Sequence, residues 1–333
     1  MKTNRRQFIG PIVGSMAAIA SSSLASNEHS IAQIKLPGSD LKMSRMGFGT
    51  GSIGFRTKQA RWVKNNPKKK RTMEDKEAID LFHRCYERGI NFFDLADSYG
   101  THGFCKEALK SIPRDKVGLM TKFWWAGQST SKDRSKWLKS ISELPISDRK
   151  AYVKQHVERF LKELNTDYID MFLLHLIFDA DWEDAMGPYM EVLSEYKQRG
   201  IIKTLGVSCH DYGAMETAVD CDWVDVLLAR INPKGVRCDG SAEEVLKVLR
   251  RGKQNNTFII GMKILGAGQL TSDRENCIKF AQNCGVLDAM TIGIESVAQI
   301  DDNLNLLNKY PVAKKTPTKG VLLLNLILSS GTS

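Results

Sequence analysis

Ile90-Asn91-Phe92-Phe93-Asp94-Leu95-Ala96-Asp97-Ser98-Tyr99-Gly100 decides how the rest of this 333-residue chain reads. An apolar run ends in a carboxylate, and a tyrosine follows five positions later in a glycine-bearing loop. Two later runs also close on ionisable residues, Val117-Gly118-Leu119-Met120-Thr121-Lys122 and Tyr168-Ile169-Asp170-Met171-Phe172-Leu173-Leu174-His175. Burying such a group unpaired costs roughly several kcal/mol, so a charge closing an apolar strand belongs at a site rather than in a core. If the strands are parallel staves of one barrel, Asp94, Tyr99, Lys122 and His175 meet at its C-terminal mouth.

Working outward, apolar runs alternate with amphipathic helical segments along the chain. The runs are 45–50, 90–94, 117–122, 168–174, 201–208, 224–231, 257–263 and 289–294. Helical patterns lie between them, for example 74–87, 150–163, 182–198, 242–251 and 272–283. Val153, His156, Val157, Phe160, Leu161 and Leu164 trace one buried helix face. Near-continuous apolar strands alternating with helices predict a parallel (β/α)₈ TIM barrel over residues 31–310. No G-x-G-x-x-G follows an early strand, which argues against a doubly wound dinucleotide-binding sheet. Residues 34–41 read as a hairpin around Pro37-Gly38. Two connections, 51–72 and 123–147, are long for βα units and are the expected specificity loops; the second carries Trp124, Trp125 and Trp137.

Composition is that of an ordinary globular protein, 42% hydrophobic and 26% charged, with a net charge of +10. Part of the excess is local, with Lys58, Arg61, Lys64, Lys68, Lys69, Lys70 and Arg71 close together and no nucleic-acid motif beside them. The first residues carry Arg5-Arg6 in Thr3-Asn4-Arg5-Arg6-Gln7-Phe8-Ile9, then a moderately apolar stretch and Ser21-Ser22-Ser23-Leu24-Ala25. This resembles a twin-arginine export signal over residues 1–25, implying passage through that machinery and a periplasmic location. The stretch is too short and too rich in Gly and Ser for a membrane span, so no stable anchor is expected. Seven cysteines show no C-x-x-C pair, the odd count leaves at least one unpaired, and most read as reduced core residues; no metal site is apparent. Residues 311–333 form a tail ending in the apolar run 321–328, too short to span a bilayer.

Together these features resemble the aldo-keto reductase family over roughly residues 31–310. The resemblance is carried by Met46-Gly47-Phe48-Gly49-Thr50, by Asp94 with Tyr99, by Thr121-Lys122, by the run ending at His175 and by Leu205-Gly206-Val207-Ser208. It implies reduction of an aldehyde or ketone to an alcohol, or the reverse, with NADP or NAD as cofactor and a small carbonyl compound as substrate. The residue chemistry agrees. Carbonyl reduction needs a proton at oxygen, and a free tyrosine, with a pKa of about 10, is a weak acid near neutrality. A nearby ammonium is expected to lower that pKa. Tyr99 is then the proton donor, Lys122 its tuner, Asp94 the partner of Lys122, and His175 the group that orients the carbonyl. His83, His102 and His156 fall in helical patterns and read as structural, whereas His210 is a candidate neighbour of the site.

The resemblance assigns cofactor binding to Gly49, Thr50, Asp94, Ser208, Met262, Lys263, Leu265, Gly268, Glu295 and Asn303. The chain departs from the family pattern here. Ser208-Cys209 replaces a Ser-Asn pair on the carboxamide, and Met262 replaces a tyrosine that stacks on the nicotinamide. Lys263 replaces a serine near the pyrophosphate. Gly293, Ile294 and Gln299 stand where cations clamp a 2′-phosphate, and the carboxylate of Glu295 suits a ribose hydroxyl. NAD therefore stands beside NADP. Two other classes stay open: a Schiff-base enzyme using Lys122 or Lys263, and a non-catalytic barrel that binds a ligand.

Overall fold

The computed structural model describes residues 31–312, so the export signal expected over 1–25 and the apolar run 321–328 lie outside the described residues. The strands are β1 Gln33–Lys35, β2 Lys42–Ser44, β3 Met46–Gly49, β4 Phe92–Asp94, β5 Gly118–Phe123, β6 Ile169–Ile177, β7 Ile202–Cys209, β8 Val226–Arg230, β9 Phe258–Met262 and β10 Ala289–Gly293. The helices are α1 Gly51–Arg56, α2 Asp75–Glu87, α3 His102–Ala108, α4 Trp137–Ser142, α5 Ile146–Leu164, α6 Trp182–Gln198, α7 Tyr212–Asp220, α8 Ala242–Gln254, α9 Arg274–Asn283 and α10 Val297–Lys309. Strands β3 to β10 close into one parallel barrel in the order β10-β3-β4-β5-β6-β7-β8-β9. The eight runs expected from the sequence are its eight staves, with helices between them: a (β/α)₈ barrel.

Side chains on a strand alternate between faces, and that period of two explains the layering. Phe92, Met120, Met171, Leu173, Val226, Leu228, Phe258, Ile260 and Ala289 fill the barrel interior. Their outward neighbours, such as Phe93, Leu119, Phe172, Val207 and Ile259, pack against the helices. The hairpin β1–β2 contributes Leu36 and Met43 to the inner layer, sealing the end where the strands begin. At that end Asp170, Asp225 and Asp288 each accept a backbone N–H of a neighbouring strand, at Leu119, Leu205 and Ile259. Gly206 on β7 has no room for a side chain, because a Cβ would stand 1.8 Å from the carbonyl oxygen of Val226.

Two long connections differ from open loops. The first contains α1, anchored by buried Ile53, and the second contains α4 with short 3₁₀ turns. Helices this short are marginal alone and form because tertiary packing holds them, which a pattern of period 3.6 cannot signal. Strand β6 also runs past His175 to Ile177. Its pairing with β7 shifts register between Leu174 and Ile177, and Leu176 takes a φ of 62°. A bulge directly after His175 re-aims the chain where the sequence pattern had only ended a strand.

Candidate active site

Alternation decides which side chains reach the mouth. Counting inward positions up each strand ends at Asp94 on β4, Lys122 on β5, His175 on β6, Ser208 on β7, Arg230 on β8 and Met262 on β9. The Nζ of Lys122 is fully buried and donates to Asp94 Oδ1 and, at 2.7 Å, to the carbonyl oxygen of Leu95. The same Nζ lies 4.8 Å from the ring centroid of Tyr99. Tyr99 meets the imidazole of His175 edge-on, with centroids 5.7 Å apart. Asp94, Tyr99, Lys122 and His175 therefore form one contiguous cluster, as the sequence reading expected.

The electrostatics correct one expectation. Burial, then the neighbouring Asp94 carboxylate, push the Tyr99 phenol well above its ordinary value of 10.0. The Lys122 ammonium, which donates to Asp94 and the Leu95 carbonyl, does not offset that rise. Burial also lowers Lys122 against the opposing pull of Asp94. His175 sits well below 6.5, through burial and then the charges of Lys122, His210 and Lys263. The cluster thus holds a protonated phenol beside a neutral imidazole.

Two further side chains border the imidazole: Ser98, which the sequence reading did not single out, and Trp124, from the expected specificity loop. Ser98 Oγ, fully buried, lies 3.4 Å from His175 Nδ1. Trp124 covers another side of that imidazole, with centroids 6.1 Å apart. Ser98 adjoins Tyr99 in sequence, but on a 3₁₀ turn that points both residues inward. His210 does approach the site, close enough to depress His175. His102 is structural: its Nε2 lies 2.8 Å from Thr121 Oγ1 and its Nδ1 2.7 Å from Glu163 Oε2, tying β5 to α5. His156 lies against the Tyr152 carbonyl, and His83 is remote from the cluster near Ser111.

The expected cofactor residues divide into groups. Ser208 Oγ is fully buried at the mouth without a hydrogen-bond partner, as is Asn303 Oδ1 on α10. Met262 closes β9 and Lys263 follows it at a φ of 57°, its pKa lowered first by burial. Leu265 and exposed Gly268 follow on a turn. Gly49 packs on β10, where a Cβ would meet the Ile292 carbonyl oxygen at 3.0 Å. Thr50 is spent on the frame: its hydroxyl donates at 2.8 Å to the Asp94 carbonyl and lies 2.8 Å from Thr101 Oγ1. Glu295 is not a free carboxylate, because Arg56 of α1 donates to its Oε2 at 3.2 Å. Gln299 is also engaged, accepting the Glu295 N–H at 2.7 Å. The cation that reaches that strand end is Arg56, which arrives from the far side of the sequence and is paired with Glu295.

The profile of the aldo/keto reductase family matches residues 45–283. The NADH-specific methylglyoxal reductase of Escherichia coli is 25% identical over 208 residues, covering 60% of this chain and 58% of that protein. The uncharacterised oxidoreductase YqkF of Bacillus subtilis is 30% identical over 177 residues, covering 52% and 47%. The chain spans about half the length of the curated relatives it matches. The holo form of the aldo-keto reductase AKR11C1 from Bacillus halodurans shares the fold at a TM-score of 0.62 and 20% identity, over 85% of this chain and 93% of that one. With a profile that matches well over half of its length, this chain belongs to the aldo/keto reductase family.

Proposed function

We propose that the protein is an NAD(P)H-dependent oxidoreductase that interconverts a small aldehyde or ketone and its alcohol. The observation that carries this is the buried Lys122–Asp94 pair with Tyr99 and His175 gathered against it at the barrel mouth. A bound nicotinamide supplies hydride to the carbonyl carbon. Tyr99, which its raised pKa holds in the protonated form, is the proton donor to the oxygen. Asp94 holds Lys122 in place, and the ammonium favours negative charge developing near the phenol. Neutral His175, with Ser98 Oγ at Nδ1, presents Nε2 to the carbonyl oxygen and orients it.

The chain's residues fit the cofactor. Ser208 Oγ, buried and unpartnered, would hold the carboxamide, and Met262 would cover a ring face by dispersion. Lys263 and Gly268 suit the pyrophosphate, and Glu295, oriented by Arg56, suits a ribose hydroxyl. NADH serves beside NADPH in this reading, in keeping with the name of the E. coli relative.

The test is aldehyde-dependent oxidation of reduced nucleotide, followed against pH. Because His175 titrates well below 6.5, turnover is expected to show no inflection as pH falls from about 8 to 6.5. An inflection in that window that disappears in His175→Asn would contradict the neutral imidazole. Absence of turnover with a panel of aldehydes and both nucleotides would contradict the function itself. One observation favours a second reading: the depressed, partly buried Lys263 amine is suited to Schiff-base formation. Borohydride trapping of a carbonyl compound on Lys263 would support it.

We also propose export to the periplasm by the twin-arginine machinery, supported by Arg5-Arg6 and the small residues before Ala25. Replacing both arginines by lysine is expected to leave precursor in the cytoplasm. Mature protein outside at the normal level would overturn it.

A further inference from the structure

Phe55 and Trp62 are each 44% exposed, the two exposed Phe or Trp side chains among the described residues. Neither joins the core. They stack on one another with centroids 5.9 Å apart and planes 11° from parallel. Trp62 meets Trp124 edge-on at 5.8 Å, and Trp124 meets His175 at 6.1 Å. An unbroken aromatic path therefore leads from the candidate catalytic imidazole to the surface.

The outer end of that path is held rigidly to the Tyr99 turn. Arg61 N donates to the Ser98 carbonyl at 2.8 Å, and Gln59 N and Ala60 N donate to the Gly54 carbonyl at 2.9 and 2.8 Å. A Cβ on Gly54 would stand 2.2 Å from the Tyr99 carbonyl oxygen, and one on Gly100 2.4 Å from that of Gln59. Only glycine allows the two backbones to pack this closely. The platform is thus preorganised rather than a loose loop. Beside it, the Arg61 guanidinium lies 5.6 Å from the Trp124 centroid, with its side chain 46% exposed and its nearest acidic oxygen, on Asp97, 3.8 Å away. Lys58 and Lys64 flank it in the same loop.

The geometry points to an outer substrate subsite, in which Phe55 and Trp62 take a planar aromatic ring and Arg61 takes a carboxylate carried by that ring. The substrate class is then an extended aromatic aldehyde or ketone with an acidic group distal to the carbonyl. This deepens the carbonyl-reducing reading and rests on it for the direction in which the substrate lies. Stacking explains why two large apolar rings are kept exposed on a polar loop, and the local positive charge explains an acidic ring in preference to a neutral one.

The probes are 4-carboxycinnamaldehyde, uncharged cinnamaldehyde and ringless propanal. In Trp62→Ala the ratio of kcat/KM for 4-carboxycinnamaldehyde over propanal is expected to fall about tenfold, mainly through KM, with Trp62→Phe restoring most of it. In Arg61→Met the advantage of the carboxylated over the uncharged cinnamaldehyde is expected to vanish. Unchanged ratios overturn the proposal. Calorimetric binding of 4-carboxycinnamate, which has no aldehyde to reduce, separates this from failure of the catalytic reading. Weaker binding to Trp62→Ala and Arg61→Met supports the subsite even in a protein that turns over no carbonyl. Equal binding to wild type and both variants overturns it, as does displacement of the probe by an aldose sugar at lower concentration.

Discussion

Tyr99→Phe is expected to reduce carbonyl turnover by about 10²–10⁴-fold, the usual contribution of a positioned general acid. The substitution removes one hydroxyl and keeps the ring that packs against His175 and under Lys122. Reduced-nucleotide affinity should therefore stay near wild type, and the loss should fall on kcat. Steady-state kinetics with an aldehyde, beside a nucleotide titration, reads both. A variant within a few-fold of wild type would transfer the acid role to another group, with His175 the nearest.

Asp94→Ala carries the second large effect, on stability as well as activity. Lys122 is fully buried and its strongest partner is Asp94, so removing the carboxylate strands an ammonium in the barrel interior. Breaking one side of a buried ion pair typically costs about 3–5 kcal/mol. Only the Leu95 carbonyl would remain to hold the amine. A double variant, Asp94→Asn with Lys122→Met, removes both charges and is expected to recover most of that stability while staying inactive. Denaturant midpoints of the single and double variants check this. An Asp94→Ala protein as stable as wild type would mean that Lys122 deprotonates or reorients at little cost.

The eight strands were legible because a parallel barrel buries both faces of each stave, so near-continuous apolar runs such as 201–208, which became β7, stand out whatever their neighbours. The mouth was legible for the same reason: Asp94, Lys122 and His175 interrupt those runs at their ends. Interactions between distant segments were not. Arg56 and Glu295 meet across 239 positions, and no local pattern joins them. The sense of the Tyr99 shift was misread because the sequence announces an ammonium but not how deeply the fold buries the phenol beside Asp94. The resemblance assigns Thr50 to the cofactor, and no local pattern announced that its hydroxyl also closes the joint between β3 and β4.

The central claim is that the cluster of Tyr99, Lys122, Asp94 and His175 reduces a carbonyl group with a nicotinamide nucleotide. Incubating the protein with NADH deuterated at the transferring carbon and an aldehyde, then locating the label in the alcohol by mass spectrometry, tests it most directly. The account predicts deuterium on the former carbonyl carbon with wild type and almost none with Tyr99→Phe. Alcohol formed without label, or equal labelling by the two proteins, would contradict it.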